Sequence, residues 1–137
     1  MVDLQKARRE AAERYLALGM SYLPEGYTFT FRNRLTGCHW GDRRHIEAPK
    51  PVTRKALYIW LHECAHAQLH RNNGKVPRHV EEYEAEMWAH ARMREHGIPV
   101  PHEMTLRAKR YVARKIRQAE RAGAKTIDPR ARKFASE

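Results

Sequence analysis

The chain reads as an α+β protein on three observations. Apolar residues recur at three- and four-residue spacing in several separate segments, and one short stretch alternates strictly between apolar and polar residues. Breaks rich in Gly and Pro separate these segments. The order is an N-terminal helix, a small three-stranded antiparallel sheet and three further helices, with the sheet expected to pack on the second helix. In the first helix, over residues 3–18, Leu4, Ala7, Ala11, Tyr15 and Leu18 form the apolar stripe, and Gly19 followed by Pro24-Glu25-Gly26 stops it. Tyr27-Thr28-Phe29-Thr30-Phe31 alternates with its three aromatics on one face and is the clearest strand. Asn33 to Gly37 reads as a turn, and further strands are expected around Cys38–Trp40 and Arg43–Ala48, ended by Pro49 and Pro51. Thr53 is a good N-cap for a helix over about 54–71, stopped by Asn72-Asn73-Gly74. Residues 79–96 and about 103–122 make the last two helices, the fourth carrying Leu106, Val112, Ile116 and Ala119 as a sparse apolar stripe. After Gly123 the sequence is polar and basic, and loose order is expected there.

Composition bounds the function. A chain of 137 residues holds one modest core, read as a domain over 1–101 followed by a basic C-terminal helix and tail over 102–137. No apolar run approaches the roughly 20 residues of a membrane span, and Met1-Val2-Asp3-Leu4-Gln5-Lys6 has no hydrophobic signal core. Cys38 and Cys64 make no disulfide scaffold, so a reducing cytoplasm is expected. The net charge of +11 is concentrated, with residues 102–137 alone carrying 11 Lys/Arg against 4 Asp/Glu. Arg107, Lys109, Arg110, Arg114, Lys115, Arg117 and Arg121 on one helix suit nucleic acid or an acidic partner, although a solvated basic face has the same composition.

The chemistry concentrates in His62-Glu63-Cys64-Ala65-His66, an H-E-x-x-H motif that follows the apolar run Ala56–Leu61. Residues four apart share a helix face, so both imidazoles can reach one metal ion. Glu63 lies about 100° round the helix from His62, within reach of a water at that ion. In a chain with nine His and 13 Glu the motif arises by chance with a probability of roughly 5%, so its surroundings decide.

Catalytic zinc takes three protein ligands and keeps one position open. The next helix begins His79-Val80-Glu81-Glu82-Tyr83-Glu84-Ala85-Glu86, and four carboxylates in six residues repel one another unless a cation relieves them. The helix dipole accounts for one or two of them. Glu82 and Glu86 share a face one turn apart. Glu82 is favoured as the ligand, with Glu86 bonded to a ligand imidazole, and the reverse assignment stays open. Glu84 points away from that face. His70 lies about 12 Å along the axis from His62, too far to join the same ion, and reads as a pocket-wall or capping residue. Cys64, Trp60, Tyr58 and Trp88 read as packing, Trp88 with Ile59 between the two acid- and His-bearing helices. Tyr83, His39 and Arg78 are candidates to donate to an oxyanion.

Leu61-His62-Glu63-Cys64-Ala65-His66-Ala67-Gln68-Leu69-His70, followed by Glu82-Tyr83-Glu84-Ala85-Glu86-Met87-Trp88-Ala89, resembles the ImmA/IrrE-like zinc metallopeptidases. That family typically reads H-E-x-G-H-x-x-L-H and then E-x-E-A-N-x-F-A, and its minimal zincin-like (gluzincin) core fits about residues 27–97. The resemblance implies Zn2+ held by His62, His66 and Glu82, with Glu63 as general base. It also implies a protein substrate, often a DNA-binding repressor, lying antiparallel to the edge strand near Arg43–Ala48. Ala65, Glu86 and Trp88 stand where Gly, Asn and Phe are usual, and the second of these keeps Glu86 as the alternative third ligand. Two other readings compete. In a SprT-like, DNA-associated protease His79 would be the third ligand. In a nucleic-acid-binding protein the metal would be structural or absent, and binding would survive loss of His62.

Overall fold

In the computed structural model, which describes residues 3–72 and 74–137, the chain folds into five helices and one small mixed sheet. The elements are α1 (Leu4–Ser21), β1 (Thr28–Arg32), β2 (Cys38–Trp40), β3 (His45–Pro49), α2 (Arg54–Leu69), α3 (Arg78–Glu95), α4 (His102–Arg121) and α5 (Pro129–Ser136). Met1, Val2 and Asn73, with the part of the N-terminal and Asn-Asn-Gly expectations that rests on them, lie outside the described residues.

The sheet corrects the antiparallel expectation. Its order is β1-β3-β2, with β1 parallel to β3 and β2 antiparallel to β3. The physical reason is burial. Ile46 and Ala48 of β3 are fully buried, so the last strand takes the centre against α2, while β2, only three residues long, is left at an edge. The stretch around Arg43–Ala48 is therefore not an edge strand, and a substrate cannot add there. Phe29 and Phe31 of β1 face Ile46 and Ala48 in register and close over Trp60, with ring centroids 5.6 and 5.8 Å from it. On the other face the Thr28 and Thr30 hydroxyls bond the His45 ring, and Arg32 pairs with Glu47.

Helix α2 is buried on almost every side, from Ala56 through Ala67, because the sheet, α1 and α3 all pack against it. Thr53 caps it as expected, accepting from the Ala56 amide at 3.2 Å. Gly19 does not stop α1. It sits inside the helix, where a Cβ would lie 2.8 Å from Pro51 and 3.1 Å from Trp60, and its carbonyl accepts from the Trp60 indole at 2.7 Å. Trp88 packs edge-on against Tyr22 at the end of α1 and lies against the core cluster that includes Ile59.

The C-terminal segment is ordered, contrary to expectation. Asp128 accepts from the Arg130 and Ala131 amides and starts α5, with Pro129 at its first position. Ala131 and Phe134 join Val112, Ile116 and Tyr83 in a second apolar cluster. The buried stripe of α4 is Met104, Ala108, Val112 and Ile116, and Leu106, expected inside, is exposed. No helix among the described residues is long and apolar enough to cross a membrane.

Candidate metal centre

Helices α2 and α3 lie side by side, which sets each histidine of the motif against the acidic start of α3. His62 Nε2 and His66 Nε2 are 3.2 Å apart, and Glu82 Oε2 lies 3.1 Å from the first and 3.4 Å from the second. Three ligand atoms about 2.0–2.1 Å from a tetrahedral ion sit about 3.3 Å from one another, so these spacings leave room for one such ion. Glu82 Oε2 is buried with no aligned hydrogen-bond partner, an orphaned anionic atom of the kind a cation satisfies. Its other oxygen is held by Arg78 at 3.1 Å. Two imidazoles and one carboxylate form the donor set typical of catalytic rather than structural zinc. The residues present fit that ion.

Glu86 stands on the other side of His62, in ion-pair contact with Nδ1. The structure therefore gives Glu82 and Glu86 different partners: Glu82 faces the shared point and Glu86 lies against the far nitrogen of His62. His79 is not brought to the point. It is buried, and its Nε2 accepts from the Asp128 amide at 3.1 Å, so it anchors the start of α5 instead of serving as a third ligand. A second grouping among the described residues comprises His66, His70 and Glu81.

The electrostatics are those of a site that wants positive charge. Burial disfavours an imidazolium at His62, yet Glu86, Glu82 and Glu63 outweigh it and hold its pKa well above the ordinary value. At His66 burial prevails over the opposing Glu82 and pushes the pKa down to about 4, so it is neutral at pH 7. Burial raises Glu82, but the close His62 and His66 rings prevail and keep it far below the usual carboxylate range. Glu63 is pushed up to about 7 by burial, opposed by His62 and helped by the neighbouring carboxylates.

These groups open into one pocket of about 370 Å³. Gly37 and Cys38 form one wall, with His39 beside them on β2, and Met104, Arg107, Ala108 and Tyr111 of α4 form the opposite wall. Gly37 leaves space for this carboxylate: a Cβ there would lie 2.6 Å from Glu63 Oε2 and force that side chain to shift. Of the expected oxyanion donors, Arg78 and His39 line the pocket, His39 with its Nε2 engaged by the Tyr27 hydroxyl at 2.8 Å. Tyr83 does not. It packs on Phe134 under Arg130. Tyr111, which sequence reasoning missed, lines the pocket next to Arg78, and burial and Glu82 raise its pKa so that it keeps its proton. Its only signal was its spacing, three residues after Ala108 and seven after Met104, at the border of the buried stripe of α4. Cys64 is fully buried, and burial pushes its thiol pKa far up, as befits a small packing residue.

No protein-family model, curated protein or solved structure matches this chain.

Proposed function

We propose that the protein is a zinc-dependent metallopeptidase hydrolysing a peptide bond in a protein or peptide substrate, of the ImmA/IrrE-like kind its motifs resemble. The observation that carries this reading is the convergence of His62 Nε2, His66 Nε2 and Glu82 Oε2 beside a buried Glu63, at the floor of an open pocket. Bound there, zinc would supply Lewis acidity toward the scissile carbonyl and lower the pKa of a neighbouring water. Glu63 takes a proton from the attacking water on its carboxylate and returns it to the leaving amine, a task suited to a carboxyl poised near neutrality. Arg78 and the Tyr111 hydroxyl supply donors for the developing oxyanion. The free edge of β2, which carries Cys38 and His39 into the pocket wall, is the strand on which an extended substrate would lie.

The test uses a proteome-derived peptide library with cleavage read by mass spectrometry. Glu63→Gln is expected to keep its zinc and to cleave at least about a hundredfold more slowly. Cleavage by that variant at the wild-type rate would sink the general-base role.

A second reading, compatible with the first, is supported by α4. Arg107, Arg110, Arg114, Arg117 and Arg121 are exposed at alternating spacings of three and four, a single stripe about 21 Å long. Lys109 and Lys115 turn aside to Phe134 and to Gln118. The apolar face of α4 is already buried, so a polyanion suits this stripe better than a membrane surface. Arg107 also lines the pocket, which would bring a DNA-bound substrate to the site. Duplex DNA binding that weakens steeply with salt and survives His62→Ala is expected. No binding at low salt would exclude this reading.

A further inference from the structure

The two ligand histidines are oriented by different devices, and only one of them is a direct carboxylate contact. Nδ1 of His62 meets Glu86. Nδ1 of His66 lies 3.1 Å from Nδ1 of His70, and Nε2 of His70 lies 2.9 Å from Glu84 Oε1. His66 and His70 are both buried, while Glu84 is half-exposed at the far end of the chain of bonds.

We propose that His70 and Glu84 are positioning residues that fix His66 as a metal ligand through a two-step hydrogen-bond relay, an inference that rests on the zinc reading above. The proton placement follows by elimination. An ionised carboxylate only accepts, so His70 must donate to Glu84 from Nε2. A neutral His70 then has its lone pair on Nδ1 and must accept from His66. His66 donates from Nδ1, and its lone pair is left on Nε2, the atom that faces His62 and Glu82. No other arrangement of neutral rings satisfies both bonds and also frees the ligand atom. Carboxylate partners of this kind fix the tautomer and ring orientation of metal-bound histidines, and their loss usually weakens metal binding 10- to 100-fold. Here an imidazole is interposed because α2 ends at His70, one turn beyond His66, and the carboxylate that reaches it comes from α3.

Zinc affinity measured by competition with a chromophoric chelator tests this. Relative to wild type, His70→Leu is expected to bind zinc about 10- to 100-fold more weakly. His70→Asn, whose amide oxygen falls near the place of Nδ1, should recover most of that loss, which a merely structural role would not allow. Glu84→Ala should show a smaller loss, and because it changes a half-exposed side chain it keeps the test decisive if His70→Leu does not fold. Long-range ¹H–¹⁵N spectra of the zinc-loaded protein should show His70 protonated on Nε2 and His66 on Nδ1. Unchanged affinity in His70→Leu and Glu84→Ala, or the opposite tautomer at His70, would overturn the relay while leaving the zinc site standing. Two tightly bound zinc ions per chain would also overturn it, because His66, His70 and Glu81 would then be holding a second ion. A wild-type protein that binds no zinc would remove the relay and the proposed function together.

Discussion

Glu63 is crowded from above by backbone. Gly37 passes so close that any side chain there would occupy the space of the Glu63 carboxylate. Gly37→Ala is therefore expected to displace Glu63 while leaving His62, His66 and Glu82 alone. Zinc affinity should stay near wild type, peptide cleavage should fall at least tenfold, and stability should drop by about 1–3 kcal/mol, the usual cost of overpacking. Retained cleavage would mean that Glu63 has room to move and that its position is not what Gly37 protects. The contrast with Gly19 is useful. There the close neighbours are Pro51 and Trp60 in the core, so Gly19→Ala should cost similar stability with no specific effect on the site, as denaturant unfolding and zinc titration together would reveal.

Among the elements, those with local signals were legible and those fixed by distant partners were not. The spacing of His62 and His66, the Thr53 cap and the acidic start of α3 are all written within a few residues, and they located two helices and the donors they carry. The strands read as an antiparallel sheet and their order was not legible, because the burial of Ile46 and Ala48, which draws β3 between the other two, is set by α2 and not by the strands themselves. The relay was missed for the same reason. Glu84 lies on the helix face turned from Glu82 in a helical-wheel reading, and only the placement of His70 at the end of α2 brings the two together. Helix α5 is the opposite case. Its start signal, Asp128-Pro129, was present in the sequence, but its polar composition and its eight residues concealed the apolar pair Ala131 and Phe134. Asp128→Ala should cost about 1 kcal/mol and speed hydrogen exchange of the α5 amides. The cap is also pH-dependent. Bonds from Arg130 depress the Asp128 pKa from 3.8 to about 2 in the folded protein, so its contribution is complete above about pH 4 and is lost as pH falls toward 2. Protection factors of the α5 amides that stay constant across that window would contradict the capping role.

At the scale of the whole molecule, the site is where the two halves of the chain meet. Helix α2 and β2 form its floor and one wall, α3 supplies the carboxylates, and α4 closes the opposite side with Met104, Arg107, Ala108 and Tyr111. The proposed ligands come from two helices that share an extensive contact, so binding of a metal there would be coupled to folding. A ligand at a thousandfold excess over its dissociation constant stabilises by about 4 kcal/mol, which for a chain of this size is roughly 10–15 °C in Tm. Stripping the metal should lower Tm by that order and restoring zinc should reverse the change, while Glu82→Ala should show almost no difference between the two states. The most direct measurement is the zinc content per chain, by atomic emission, of wild type beside Glu82→Ala and Glu86→Ala after dialysis without chelator. About one zinc in wild type, little in Glu82→Ala and a much smaller loss in Glu86→Ala is the expected result. No zinc in wild type even after reconstitution, or an undiminished zinc in Glu82→Ala, would contradict the His62–His66–Glu82 centre.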